Sequence, residues 1–238
     1  KRRFIIPSTL NGQLLFQDTV VLNPGDSGNI QHAIQANLPE GLYELDVLNS
    51  TAKTKIYTYA ADALILDIPD EIQFTGSSKD VSGFGNDGHP SEEGHYISLP
   101  HSASLDSSGT TLTMMAWIND PGDSRKLTDL MAKGDNHVLQ LTGGSLSFFA
   151  GGWGRGDCKV PLPRDWRKNW HHIAGVCTGP DLRIYIDGEL KGIAAMEEAV
   201  NLNVAAGWSL GGNEEFPLDR SFDGQIRGVK IFASALGE

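Results

Sequence analysis

Positive charge is what this sequence most clearly lacks. Its 238 residues include 19 lysines and arginines against 30 aspartates and glutamates, which gives a formal net charge of −11. Nucleic acids, heparin-like polyanions and anionic membrane surfaces bind through basic patches, and the only run of three basic residues is Lys1-Arg2-Arg3. The charge balance therefore predicts that nucleic acid is not a partner.

Long apolar stretches and cysteines are also scarce. No segment reaches the roughly 20 apolar residues that cross a membrane, so no membrane insertion is predicted. The two cysteines, Cys158 and Cys177, either pair across neighbouring strands or stay as buried thiols, and the sequence leaves both possibilities open. Because the chain begins abruptly at Lys1, we interpret it as a mature or excised fragment, to which further domains could be attached.

The usual catalytic motifs are absent as well. There is no H-E-x-x-H, C-x-x-C or G-x-S-x-G sequence, and no helical pattern follows the glycine-rich segment at residues 151–156. The adjacent His171 and His172 are predicted to point to opposite faces of a strand, so they would not chelate one metal ion. These absences favour a non-catalytic protein.

What the sequence does contain is a succession of short alternating segments and turns. Its 28 glycines and 11 prolines are spread along the chain, a pattern typical of an all-β protein. Residues 170–177 alternate with the period of a strand, residues 178–181 have turn composition, and residues 182–186 alternate again before Asp187-Gly188. These patterns predict antiparallel strands.

A series of motifs in family order resembles the laminin-G-like family, which has the concanavalin A-like jelly-roll fold. The clearest are Trp170-His171-His172-Ile173-Ala174, Ile184-Tyr185-Ile186-Asp187-Gly188 and a last strand that begins Phe222-Asp223-Gly224. The glycine-rich loop at residues 80–88 and the strand-like residues 112–118 resemble earlier motifs of the family. The resemblance implies an all-β fold, an antiparallel β-sandwich of two sheets.

This resemblance divides the chain near residue 72. Residues 72–238 are assigned to the laminin-G-like jelly roll. Residues 1–71 contain several strand-like runs, and residues 38–47 resemble a turn and strand of small immunoglobulin-like modules. They predict a small N-terminal β domain that is immunoglobulin-like or a partial sandwich.

The resemblance also implies a structural calcium ion. In the family, a loop like residues 80–88 often meets the turn at the start of the last strand around one calcium. Asp80 and Asp223 would be ligands, with Asn86 or Asp87 contributing, because calcium prefers carboxylate and amide oxygens. The alternative is that these residues only form turns.

Candidate ligand-binding residues come from loops that carry aromatic side chains. An exposed aromatic ring can stack on a sugar, with polar groups beside it. Trp117 and Trp170 are expected in the core, and Trp208 is expected to be partly buried. The predicted contacts with a ligand are the loop residues Trp153, Arg155, Asp157, Trp166 and His95.

A hydrolase is the least favoured of the functions that the fold suggests. Residues 44–49 nearly match the strand motif of laminarinase-type glycoside hydrolases, which share the jelly-roll fold and use paired carboxylates. The last acid is replaced by Asn49, so the proton donor is missing. Glu44 and Asp46 are better explained as the solvated face of a strand.

Together these observations predict a non-catalytic carbohydrate-binding module outside the cytoplasm, either extracellular, at the cell surface or periplasmic. Its partner would be a carbohydrate ligand, and it would be an accessory domain of a secreted or surface glycan-processing protein. The first alternative is a protein-binding adhesion module of the same fold. The second is a glycoside hydrolase whose acids are not recognised.

Overall fold

The computed structural model describes the strands and pairing of residues 2–10, 13–22, 41–47 and 50–56. It describes backbone and side chains of residues 63–236, except 107 and 123–125. In chain order the strands are β1 (Arg2–Leu10), β2 (Gln13–Leu22), β3 (Gly41–Val47), β4 (Ser50–Ile56), β5 (Leu64–Glu71), β6 (His89–Pro90), β7 (Ile97–Leu99), β8 (Leu112–Asn119), β9 (Thr128–Lys133), β10 (His137–Thr142), β11 (Ser145–Ala150), β12 (Cys158–Pro161), β13 (Trp170–Cys177), β14 (Asp181–Ile186), β15 (Glu189–Ala195), β16 (Trp208–Leu210) and β17 (Gln225–Phe232).

Residues 1–58 form one compact unit, whose strands make an antiparallel sheet in the order β2-β1-β3-β4. Strand β1 pairs with β2 from Arg2 opposite Leu22 to Leu10 opposite Gln13. The predicted β-structure of this region is confirmed. An immunoglobulin-like sandwich needs a second sheet, and the described residues of this unit form one sheet, so that assignment stays a prediction.

Residues 59–238 form the second compact unit, which contains two antiparallel sheets. One sheet has seven strands in the order β12-β11-β10-β9-β16-β7-β6, and the other has six in the order β15-β14-β13-β8-β17-β5. Strands far apart in sequence pair directly, such as β9 with β16 and β8 with β17. This connectivity is that of a jelly roll, and the predicted two-sheet sandwich is confirmed.

The boundary between the two units differs from the one predicted at residue 72. Strand β5 pairs with β17 at the edge of the six-stranded sheet, and its Ile65, Leu66 and Ile68 lie in the sandwich core. The second unit accordingly begins at Tyr59. The alternating pattern of residues 64–68 correctly indicated a strand, but a strand pattern does not reveal which sheet the strand joins.

The core lies between the two sheets of the second unit, and strands such as β8 and β13 contribute one face to it. On β8 the inward residues are fully buried, and they are Leu112, Met114, Ala116 and Ile118. On β13, His171 is buried and stacks on Trp166, whereas His172 contacts Trp117 on the other face of the sheet. The prediction that these two histidines point in opposite directions is therefore correct.

One close approach between the sheets requires a glycine. A Cβ atom at Gly175 on β13 would lie 2.6 Å from the Phe148 ring of β11. We expect Gly175→Ala to destabilise the protein by about 1–3 kcal/mol, because the ring has no free space to move into. Urea unfolding checks this, and Phe148→Leu should reduce the cost of Gly175→Ala in a double-mutant cycle. Additive effects would contradict the proposed clash.

The alternative that the sequence left open for its two cysteines is answered by the described residues. Cys158 and Cys177 are both buried and free, so they behave as core residues rather than as a disulfide. Burial raises the pKa of the Cys158 thiol to about 11, which keeps the thiol protonated. Among the described residues, no helix has the length and apolar character needed to cross a membrane.

Candidate functional site

A cleft of about 320 Å³ lies on the outer face of the seven-stranded sheet, between the loop at residues 151–157 and the loop at residues 211–220. Its base comes from strands β10 and β11, where Val138 lies opposite Phe149 and Gln140 opposite Ser147. These residues face away from the core because their strand neighbours, such as Leu139 and Phe148, fill it. The cleft is lined by Leu127, Asp135, Gln140, Thr142, Phe149, Trp153, Asp157, Lys159 and Arg220.

The aromatic wall of the cleft is Trp153. Its side chain is 65% exposed, and the edge contact with Phe149 joins ring centroids 5.3 Å apart at an interplanar angle of 78°. The loop turns sharply at Gly151, where φ is 85° and a Cβ atom would lie 2.3 Å from Val200. The loop therefore presents a wide apolar ring to solvent on a constrained backbone.

His137 anchors this loop from below. Its ring is completely buried, its Nδ1 accepts a hydrogen bond from the Gly151 amide at 3.1 Å, and its Nε2 lies 2.9 Å from the Leu202 carbonyl oxygen. The geometry fits the neutral ring that carries its proton on Nε2, because Nδ1 is then free to accept. Burial lowers the pKa of His137 to about 4.

The buried neutral His137 predicts a loss of stability in acid. An unfolded histidine titrates near 6.5, so the contribution of the neutral ring is complete above that pH and is lost as the pH falls through about 4. The full effect is about 3 kcal/mol. We expect His137→Gln to flatten the dependence of the urea midpoint on pH between 6.5 and 4, whereas exposed His95→Gln should not. An unchanged slope in His137→Gln would contradict the assignment.

On the opposite side of the cleft, Arg220 is fixed by three neighbours. Its guanidinium lies 3.6 Å from the centre of the Phe216 ring. Its Nη1 donates to Asp135 at 3.1 Å and to Asp129 at 3.4 Å. The two contacts with carboxylates join residues more than 80 positions apart in sequence, so they tie the loop at residues 211–220 to the sheet.

Asp129 lies beneath this side of the cleft, opposite Gln140 in the β9–β10 pair and therefore on the same face. Its side chain is fully buried and accepts a 2.8 Å hydrogen bond from the Asn213 amide. The other oxygen, Oδ1, has no hydrogen-bond partner in the described part of the chain. Burial raises the pKa of the carboxyl group, although Asn213 and Arg220 oppose that change.

The third side of the cleft contains one acidic and one basic side chain. Asp157 accepts a 2.6 Å hydrogen bond from the Ser147 hydroxyl, and Lys159 stands opposite Ser147 on β12. The cleft thus combines an exposed ring with amide, hydroxyl, carboxylate and cationic groups. Such a set can bind a polyhydroxylated ligand by stacking and by hydrogen bonds.

The five predicted ligand residues do not come together at one place. Trp153 and Asp157 line the cleft, whereas Arg155 of the same loop points to a 3.3 Å ion pair with Glu198. His95 lies in the turn between β6 and β7, at the opposite edge of the seven-stranded sheet. It is therefore several strand widths from Trp153.

Trp166 was wrongly expected to contact ligand. Its side chain is only 3% exposed, its indole donates a 3.0 Å hydrogen bond to Asp120, and it stacks on His171 at 4.9 Å. Loop composition suggested exposure at this position. The loop instead folds its ring into the sandwich, where the indole N–H finds a buried carboxylate.

The other tryptophans also differ from expectation. Trp117 is 40% exposed on the outer face of the six-stranded sheet, and Trp170 is half-buried beside it. The Arg227 guanidinium stacks over Trp170 at 4.1 Å and lies 6.0 Å from the Trp117 ring centre. Trp208, expected to be partly buried, is completely buried in the core.

The residues predicted to bind calcium do not fit that role. The carboxylate of Asp80 is buried and accepts four hydrogen bonds: Oδ1 from the amides of Asp67 and Ser82, and Oδ2 from the Ser82 hydroxyl and the Asn86 amide. An ionised carboxylate has about four acceptor positions, so none is left for a cation.

The remaining predicted ligands are engaged elsewhere or lie outside the loop. The Asn86 side chain donates to the Ile65 carbonyl and accepts from Ser102. Asp87 is paired with Lys79 at 2.7 Å, and this hydrogen bond lowers the pKa of its carboxyl group, whereas Asp223 is exposed. The described residues contain no cluster of three or more acids, histidines or cysteines that could bind a metal ion.

Residues 91–238 match the family described as the concanavalin A-like lectin/glucanases superfamily. The chain belongs to this superfamily. The match begins just before β7 and includes every later strand of the sandwich, so the laminin-G-like resemblance of the sequence is confirmed. No curated protein has a matching sequence.

Solved structures with a similar fold include three toxin domains. The binding domain of Paraclostridial Mosquitocidal Protein 1 is 18% identical with a TM-score of 0.56, and the match covers 74% of this chain and 50% of that one. The botulinum neurotoxin serotype D ligand-binding domain, in complex with N-acetylneuraminic acid, is 14% identical with a TM-score of 0.56 and coverages of 74% and 49%. The botulinum neurotoxin DC binding domain, in complex with rat synaptotagmin II, is 13% identical with a TM-score of 0.52 and coverages of 75% and 50%.

These similarities show that this chain and the toxin domains share a fold. The chain spans about half the length of the toxin domains that it matches. At such low identity, shared architecture does not imply shared side chains in a site. The side chains of this chain's own cleft are therefore the evidence for its function.

Proposed function

We propose that the protein is a non-catalytic carbohydrate-binding module whose ligand lies in the cleft on the seven-stranded sheet. The proposal depends on one observation: the exposed ring of Trp153 stands beside a cleft lined by amide, hydroxyl, carboxylate and cationic side chains. Sugars offer an apolar ring face for stacking and hydroxyl groups for hydrogen bonds. The cleft provides both kinds of contact on one surface.

The structural neighbours support this proposal at the level of the fold, since one of these domains was solved with N-acetylneuraminic acid. We further propose that the module is accessory to a secreted or surface glycan-processing protein and that it is located outside the cytoplasm. The net charge of −11 in addition disfavours polyanionic ligands.

A glycan array, followed by a reducing-sugar assay on the glycans that bind, tests the function. We expect binding to at least one class of glycan without the release of reducing ends. Release of reducing ends would show that the protein is a glycoside hydrolase and not a non-catalytic binding module. Absence of binding to every glycan would reject carbohydrate recognition.

Protein adhesion is the second candidate because of the aromatic surface on the six-stranded sheet. Trp117, Trp170 and Arg227 lie together there, and such residues are enriched where proteins bind one another. A structural neighbour was also solved with synaptotagmin II. Adhesion would be favoured by two results together: concentration-dependent oligomers that are lost in Trp117→Ala, and no binding to any glycan on the array.

A further inference from the structure

We propose that Gln140, on the floor of the cleft, recognises the ligand by hydrogen bonding to two neighbouring hydroxyl groups of one sugar. The proposal rests on the carbohydrate-binding function proposed above, and it names the chemical group that the cleft binds. It depends on the position of Gln140 in the sheet, on the hydrogen bonds around its amide and on the apolar surface beside it.

Gln140 is a polar residue in the middle of β10, with Leu139 and Leu141 on either side. Both leucines belong to the sandwich core, so alternation turns the Gln140 side chain to the outer face of the sheet, where it lines the cleft. The residue is only 4% exposed. Its amide therefore lies at the floor of the cleft, where bulk water has little access and a group that enters the cleft would contact it.

The amide of Gln140 has no hydrogen-bond partner among the described residues, whereas the polar groups on both sides of it are bonded. Asp129, opposite Gln140 on β9, accepts from the Asn213 amide at 2.8 Å. Ser147, opposite Gln140 on β11, donates to Asp157 at 2.6 Å. A donor and an acceptor thus face the cleft at its floor, and a ligand that pairs with both gains two hydrogen bonds where water competes little.

The amide of Gln140 presents its acceptor and its donors side by side, so it is matched by two adjacent groups that can each donate and accept. Two hydroxyl groups on neighbouring carbons form such a pair, because one can donate to Oε1 while the other accepts from Nε2. Since each hydroxyl can take either role, both orientations of the amide make the same pair. An acetamido group fits less well, because its trans N–H and C=O point in opposite directions and cannot both reach one amide.

The floor of the cleft beside Gln140 is apolar, as the face of a sugar ring requires. Val138 and Phe149 lie opposite each other on β10 and β11 and cluster with Ala132. Val138 is two residues from Gln140 on the same face, which is about 7 Å along the strand. Trp153 adjoins this patch through Phe149 and lines the same cleft as Gln140. One sugar could therefore contact the aromatic ring with its apolar face and the amide with its hydroxyl groups.

Gln140→Leu tests this assignment, because leucine has a similar volume and cannot pair with hydroxyl groups. We expect glycan affinity, measured by isothermal titration, to fall about tenfold. The urea midpoint should stay the same or rise, because no described hydrogen bond is removed and an apolar side chain replaces a buried polar one. Gln225→Leu makes the same change at the exposed start of β17 on the other sheet and should leave affinity unchanged. Full affinity in Gln140→Leu would overturn the inference.

Deoxygenated glycans identify the group that Gln140 binds, and in the unmodified protein they need no variant. The probes are glycans that end in glucose, galactose or mannose, each displayed intact and with one hydroxyl group of the terminal sugar removed. We expect about tenfold weaker binding when either of two neighbouring hydroxyl groups is missing. In Gln140→Leu the same two deletions should have little further effect, which is the coupling expected of groups in contact.

The outcomes separate this inference from the proposed function. The inference is overturned and the function stands if no pair of neighbouring hydroxyl groups is needed, or if the deletions weaken binding equally in the parent and in Gln140→Leu. The same conclusion follows if none of these probes binds while other glycans do. Absence of binding to every glycan would overturn both.

Discussion

Asp80→Asn is expected to destabilise the sandwich unit by about 3 kcal/mol or more. The buried carboxylate accepts four hydrogen bonds within the loop and from strand β5, at 2.8 to 3.0 Å. An asparagine amide would replace one acceptor oxygen by an NH₂ group that faces two donors. If the NH₂ group takes the place of Oδ1, the backbone amides of Asp67 and Ser82 lose their acceptor beside a buried side chain. Urea unfolding monitored by tryptophan fluorescence measures the change.

The matched control is Asp70→Asn, which has the same chemistry at an exposed position on β5 and should change stability by less than about 0.5 kcal/mol. Treatment of the unmodified protein with EDTA is expected to leave the unfolding midpoint unchanged. If EDTA lowered stability by as much as Asp80→Asn, and calcium restored it, the loop would be a metal site and the hydrogen-bond account would be wrong.

Trp153→Ala should weaken glycan binding by roughly thirtyfold, equivalent to about 2 kcal/mol, the scale of an aromatic side chain at the centre of a binding surface. Its ring is 65% exposed, and its described aromatic contact is a T-shaped one with Phe149. The substitution therefore removes stacking area while the sandwich core stays intact. Isothermal titration with a glycan identified on the array measures the affinity.

Trp117→Ala provides the comparison, because Trp117 is also exposed but lies on the six-stranded sheet. We expect its glycan affinity to equal that of the unmodified protein. Both variants should unfold at nearly the same urea concentration as the parent, which excludes loss of binding by unfolding. Loss of affinity in Trp117→Ala with full affinity in Trp153→Ala would move the site to the other sheet.

The sandwich was predictable because its signals are local. Period-2 alternation and turn residues identified β13 and β14, and the motifs gave the fold class. The side of a strand that faces the core was harder to predict on β8, because both Met114 and Met115 are apolar, as are Ala116 and Trp117. Only the position of the second sheet decides which of these faces becomes interior, and Trp117 lies outside.

The cleft was only half predictable. Trp153 and Asp157 lie in a glycine-rich segment whose composition indicates an exposed loop. Arg220 and Asp129, by contrast, are 91 positions apart and meet because the loop after β16 folds over β9. One available signal was the polar Gln140 between Leu139 and Leu141, because alternation places it opposite the core. Trp166 shows a different error: its segment has the composition of a loop, and its side chain is nevertheless buried.

Indole N–H signals test the central claim most directly. The protein has five tryptophans, and Trp→Phe variants assign their five side-chain signals in a ¹H–¹⁵N spectrum. During titration with the tightest-binding glycan from the array, the signal of Trp153 should shift progressively, while those of buried Trp166 and Trp208 and of Trp117 stay in place. Shifts confined to Trp117 and Trp170, with an unmoved Trp153 signal, would contradict carbohydrate binding in the cleft.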